Sequence, residues 1–188
     1  MIIIGITGTI GSGKGTIVDY LISRWNFTHL SVRGYLLKVI ADRGMEANRD
    51  SMVLIANELR AHHKPSYIID ELYKKAVALN TNCIIESIRT PGEVLSLQQK
   101  PDFHLLAVDA DPKTRFKRIS IRNSETDHVD FEQFISNEQR EMTSMDPNHQ
   151  NLQKCIEMAE FVFDNNGSIE DLHKQIENNM NKIMSNNE

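Results

Sequence analysis

The sequence predicts an α/β fold in which a five-stranded parallel sheet is covered by helices on both faces. Three observations lead there. Five short apolar runs alternate along the 188 residues with segments whose apolar positions fall at helical spacing. A glycine-rich stretch, Gly8 to Thr16, stands between the first such run and the first helical segment. Helix-start signals such as Thr90-Pro91-Gly92-Glu93 follow the ends of predicted strands. Strands that alternate with helices pair in parallel through right-handed crossovers, which places helices on both faces of the sheet.

Taken in order, Ile2-Ile3-Ile4-Gly5-Ile6 is too short and too β-branched for a helix and reads as a buried strand. Ile17, Val18, Leu21, Ile22 and Trp25 then form one face of a first helix. Phe27 to Ser31 is a second strand. A helix through Tyr35, Leu36, Val39 and Ile40 stops near Gly44, and Asp50 is the expected N-cap of the next, which carries Met52, Ile55, Ala56 and Leu59. His62-His63-Lys64-Pro65 breaks that helix. Ser66 opens another, with Ile68, Ile69, Leu72, Ala76 and Leu79 inward and a Glu71/Lys75 pair outward. Asn82 to Glu86 is the third strand, Phe103 to Val108 the fourth and Glu160 to Phe163 the fifth. Asp111-Pro112 caps the helix after the fourth strand. Asn165-Asn166-Gly167 turns, and Ser168 caps a last amphipathic helix through Ile169, Leu172, Ile176 and Ile183.

One domain, residues 1–188, is expected, long enough for a substantial core. Helices run without intervening strands over about 33–79 and 112–158, where pieces that cover a substrate would be inserted. Within the second, the polar segment of about 123–149, with Asp130 as N-cap, reads as a lid. The net charge of −5 argues against a protein that coats nucleic acid or anionic membrane. Cys83 and Cys155 lack metal spacing and read as the thiols of a reduced, cytoplasmic protein. No segment reaches the roughly 18 apolar residues of a membrane span, and the first strand leaves no room for the basic opening of a signal peptide.

Chemistry is expected first at the glycine loop, because strand, glycine loop and helix in succession are what phosphate binding needs. Gly8, Gly11, Gly13 and Gly15 let backbone N–H groups surround an anion, with Ser12 among them. Lys14 adds a full charge for the β- and γ-phosphates, and the Thr16 hydroxyl can hold Mg²⁺. The expected ligand is a nucleotide. In such sheets ligands lie at the carboxyl ends of the strands. Glu86 is therefore placed to orient Mg²⁺-bound water or act as a base, and Arg89 to grip an acceptor phosphate. Arg115, Arg118 and Arg122 fall within an arc of roughly 60° on one helix face, where a transferring phosphoryl group would relieve their mutual repulsion. Arg33, Arg49, Arg60 and Lys64 are scattered basic residues which together could face an anionic acceptor. His62 and His63 have no ligand spacing and suit the end of a helix.

Over nearly its whole length the chain resembles the P-loop kinases of the nucleoside monophosphate kinase and dephospho-CoA kinase group. The Gly13-Lys14-Gly15-Thr16 ending resembles the loop of adenylate kinase. Glu86-Ser87-Ile88-Arg89 stands where monophosphate kinases have Asp-Gly-Phe-Pro-Arg, and the Arg115 to Arg122 helix matches their arginine-rich entry to the lid. Ala159 to Ser168 is similar to the closing strand and turn of dephospho-CoA kinases, which runs beside the adenine; this implies a nucleotide contact at Asn166. A kinase-like domain ahead of some deoxycytidylate deaminases is similar as well. The resemblance implies an enzyme that uses ATP and Mg²⁺ on a nucleotide-like small molecule. One departure bears on the acceptor. Ser31-Val32-Arg33-Gly34 lacks the aspartate that both families carry there. Transfer to a phosphate oxygen needs no strong base, whereas transfer to a hydroxyl does. The expected acceptor is a ribo- or deoxynucleoside monophosphate, the alternatives being dephospho-CoA and a module that binds nucleotide without transfer.

Overall fold

A computed structural model describes residues 1–122 and 129–185 of the chain. Strands β1 (Ile3–Gly8), β2 (Thr28–Ser31), β3 (Cys83–Glu86), β4 (Phe103–Asp109) and β5 (Phe161–Asp164) form one sheet in the order β2-β3-β1-β4-β5. Every adjacent pair is parallel. The described helices are α1 (Lys14–Trp25), α2 (Val32–Asp42), α3 (Arg49–His62), α4 (Tyr67–Leu79), α5 (Pro91–Gln98), α6 (Pro112–Arg122), α7 (Phe131–Met142), α8 (Leu152–Glu157) and α9 (Ile169–Ser185). Of the expected lid, residues 123–128 lie outside the described residues; the remainder contains α7.

The strands are apolar on both faces because each face meets helices. Alternate residues of β1 divide between two cores: Ile3 packs with Cys83, Ile85 and Leu105 against α2 to α5 and α8, while Ile4 and Ile6 pack with Ile84, Leu106 and Phe163 against α1 and α9. Cys83 and Cys155 are both buried and unbridged. None of the described helices is long and apolar enough to cross a membrane.

Local signals placed most helix starts. Thr90 accepts from the Glu93 N–H while Glu93 reaches back to the Thr90 N–H, and Asp130 accepts from Gln133. Three expectations shift. The N-cap of α3 is Asn48, not Asp50, because Asn48 and Ser51 exchange reciprocal hydrogen bonds and leave Asp50 in the first turn. Glu71 pairs with Lys74, one residue short of the expected Lys75. Leu79 and Ile169, expected to face inward, are 44% and 53% exposed, being the last residue of α4 and the first of α9.

Strand order is what makes the site. β1 is central, with β3 and β2 on one side and β4 and β5 on the other. Ile6 is in register with Glu86 and with Leu106, so the loop after β1 opens beside the ends of both neighbouring strands. The order reverses at β1, and a crevice forms there at the carboxyl edge.

Candidate functional site

The loop after β1 is built around backbone that only glycine adopts freely. Gly8, Gly11 and Gly13 all have positive φ. At Gly13, the N-cap of α1 with φ 107°, a Cβ would also overlap the Asn165 side chain. Asn165 is buried and donates from Nδ2 to the Ser12 carbonyl at 2.7 Å, so the β5 turn braces the loop from below. Ser12 Oγ donates to the Thr9 carbonyl, and Thr9 Oγ1 donates to Asp109 at the end of β4. Gly15 has open space around it on the first turn of α1, and Thr16 follows it there. Lys14 curls back over the loop and donates to the Gly8 and Thr9 carbonyls at 2.9 and 2.8 Å. Burial, and then the positive charge of Arg89, lowers its pKa from 10.5 to about 8. An anion in the loop would reverse that.

Beside Lys14 lies a cavity of about 190 Å³ between the strand ends and helices α2 and α3. Apolar residues Val32, Leu36, Met52, Val53 and Ala56 form one wall, and Arg33, Arg49, Arg60, Arg89 and Arg122 bring positive charge to it. Glu86 and Glu141 are its two carboxylates. Glu86 is held by a left-handed turn at Ser87 (φ 74°), where the Ser87 and Ile88 N–H groups both donate to the Ile6 carbonyl. Ser87 Oγ donates to Glu86 at 2.9 Å and His29 Nε2 lies 3.5 Å away. Burial raises the Glu86 pKa, but the hydrogen bond from His29, the Lys14 charge and Ser87 outweigh it and hold the carboxyl at about 2. Thr16 and Glu86 offer only oxygen donors, which suits a hard cation such as Mg²⁺ held partly through water. Among the described residues no group of three His, Cys, Asp or Glu side chains forms an all-protein metal cage.

Arg89 does not pair with Glu86. It donates to Glu141 on α7 and to Gln150, each at 2.7 Å, while Arg49 takes the other Glu141 oxygen. Burial raises the Glu141 pKa, yet Arg89 and Arg49 together lower it below the ordinary value.

The three arginines of α6 take separate partners. Arg115, expected at the nucleotide, is 2% exposed and donates to the Ala110 and Ile10 carbonyls and to Glu138 on α7, with its guanidinium 5.5 Å from the Phe134 ring centre. Two acids answer it, Glu138 from α7 and Asp109 at the end of β4, whose Oδ1 lies 3.4 Å from Nε, so Arg115 ties the loop, α6 and α7 together. Arg118 donates to the Asn165 carbonyl, and Arg122 lines the cavity. Asn166 is exposed, accepts from the Asp111 N–H at 2.7 Å and donates to Asp164. Lys64 pairs with Asp70 and is absent from the cavity lining. His63 is the C-cap of α3 and stacks on Tyr67.

Sequence reasoning passed over His29, Asn165, Glu141, Gln150 and the pairing of Arg60 with Glu93. The Asn165-Asn166 doublet signalled a turn but not which asparagine turns inward. Glu141 was visible only as an acid beside Arg140. Nothing local marked His29 or Gln150.

A family model described as an AAA domain matches residues 4–146. A UPF0200 protein of Methanococcus maripaludis is 30% identical, with 98% of each chain covered, and one of Methanocaldococcus jannaschii is 28% identical over 99% of this chain and 92% of the other. Among solved structures, TT1252 from Thermus thermophilus superposes with a TM-score of 0.65 at 20% identity, covering 96% of this chain and 97% of the other. A shikimate kinase from Bacteroides thetaiotaomicron gives 0.60 at 11% identity, covering 97% and 98%. The fold is that of the P-loop NTPases, with the five-stranded all-parallel sheet described above.

Proposed function

Since this chain belongs to the AAA domain family and to the UPF0200 proteins, we propose that it transfers the γ-phosphoryl group of ATP to a phosphate oxygen of a nucleoside monophosphate held in the cavity beside Lys14. The observation that carries this reading is the state of Glu86. A base that removes a proton from a hydroxyl works best with a pKa near the working pH. Glu86 accepts from Ser87 beside His29 and is held at about 2, and the other cavity carboxylate, Glu141, accepts from both Arg89 and Arg49, so neither is free to take a proton. Both are fixed as anions. A phosphate acceptor is already an anion and asks for no base, only for cations that hold it in line.

Each residue then has a part. The loop N–H groups and Lys14 hold the donor phosphates, and Thr16 and Glu86 would hold Mg²⁺, directly or through water. Bound there, the ion would neutralise charge on the phosphates. Arg89 holds the acceptor phosphate, and Arg118 and Arg122 from α6 stabilise charge on the group in transfer. An acceptor oxygen forms a bond to the γ-phosphorus as the bond to the β-phosphate oxygen breaks, leaving ADP. Helices α2 to α4, residues about 33–79, would form the acceptor region, and α7 part of the lid that excludes water. The test is a coupled assay of ATP consumption with ribo- and deoxynucleoside monophosphates and dephospho-CoA. Turnover with a monophosphate is expected. Turnover with dephospho-CoA alone would put a hydroxyl in its place, and binding of ATP with no turnover on any of them would point to a sensing module.

A further inference from the structure

Arg60 is 2% exposed and its partner Glu93 is 0% exposed. Glu93 cannot move easily, because one oxygen accepts from the backbone N–H groups of Arg89 and Thr90 at 2.8 and 3.0 Å. Its other oxygen accepts from Arg60 Nε and Nη2 at 3.1 and 2.8 Å. That leaves Nη1, which is buried and has no hydrogen-bond partner among the described residues. A buried donor left unpaired is costly and calls for an explanation. Arg60 also lines the cavity, on the same helix as its apolar wall residues Met52, Val53 and Ala56.

We infer that Arg60 determines which base the acceptor carries, by donating from Nη1 to a ring carbonyl oxygen, so that guanine or uracil is taken in preference to adenine. The inference rests on the monophosphate reading above. Glu93 already neutralises the guanidinium, so the pair asks a ligand for a lone pair and not for another charge. The apolar wall suits the face of a flat base, while Arg89 and Arg122 lie in the same cavity for the phosphate. A ring carbonyl oxygen offers a lone pair to one N–H of Nη1. Adenine has no ring carbonyl: its N6 amino group stands where guanine has O6 and uracil O4, so a donor would face the guanidinium.

The experiment measures binding of UMP, GMP and AMP to the full chain by equilibrium dialysis, without need of turnover. UMP or GMP should bind about 10- to 100-fold more tightly than AMP, as one hydrogen bond to a charged donor warrants. Arg60→Lys keeps a cation for Glu93 but lacks the planar fork that serves Glu93 and the cavity at once. It should bring UMP and GMP down to the affinity of AMP and leave AMP unchanged. Equal loss for all three would mean a purely structural role and overturn the inference. So would a parent protein that binds AMP as tightly as the others, a result that decides the matter even if the variant fails to fold. If no monophosphate binds, the proposed function falls and takes the inference with it; binding without base preference removes the inference alone.

Discussion

Glu141 Oε2 accepts a hydrogen bond from Arg89 Nη1 at 2.7 Å, joining α7 to the turn after β3 across 52 residues of sequence. With Arg49 on its other oxygen, this carboxylate occupies two of the guanidiniums that an acceptor phosphate would use. Glu141→Gln should therefore destabilise the ligand-free protein by about 1–3 kcal/mol, the cost of weakened charged hydrogen bonds. Inorganic phosphate should recover more stability in the variant than in the parent, because it no longer competes with a carboxylate. Thermal unfolding with and without phosphate reads both effects, and identical phosphate shifts in the two proteins would refute the competition.

Lys14 gives a proton-linkage prediction. Its folded pKa of about 8 lies below 10.5, so between those values the unfolded chain binds more protons and the stability of the empty protein rises with pH. Phosphates beside the ammonium would raise the pKa again. Binding of Mg²⁺-ATP near pH 9 should then take up a proton, approaching one per site. Calorimetry in buffers of different ionisation enthalpy measures the uptake, which Lys14→Ala should abolish together with turnover while the variant stays folded. Turnover equal to the parent's would contradict the kinase reading.

At Glu86 the sign is opposite. Its pKa is depressed from 4.5 to about 2, so its contribution to stability is complete above 4.5 and is lost as pH falls toward 2. Glu86→Gln should remove that part of the acid dependence, visible in urea unfolding across this range. In activity it should raise the Mg²⁺ concentration needed for half-maximal rate about 10- to 100-fold, as loss of an outer contact to a metal does. The shape of the pH–rate profile between pH 5 and 8 should not change. A limb that disappears with the substitution would make Glu86 a base and favour a hydroxyl acceptor.

Asn165 braces the loop through the Ser12 carbonyl, and its own carbonyl receives Arg118 at 2.9 Å. Asn165→Ala removes the first bond and keeps the second. It should raise KM for ATP by roughly 5- to 10-fold, in keeping with about 1 kcal/mol for one hydrogen bond, and leave the acceptor KM unchanged. A parallel rise in both constants would show that the asparagine supports the whole edge of the sheet and not the loop.

The five strands, the phosphate loop and the caps at Thr90 and Asp130 were legible in the sequence because each is set by neighbours a few residues away. An apolar run, a glycine that must take positive φ and a side chain bonding an N–H three residues on need no distant partner. The strand-end positions of Glu86 and Arg89 followed once the sheet was read as parallel. The partners of the charged groups did not. Arg60 meets Glu93 across 33 residues, Arg115 meets Glu138 across 23, and Asn165 reaches Ser12 across 153. Those meetings are decided by which helix each crossover lays against which strand end. A guanidinium on a helix face looks the same in sequence whether it will face a phosphate or a buried carboxylate. The difference is a desolvated partner within hydrogen-bond reach, and only the packed chain brings one there.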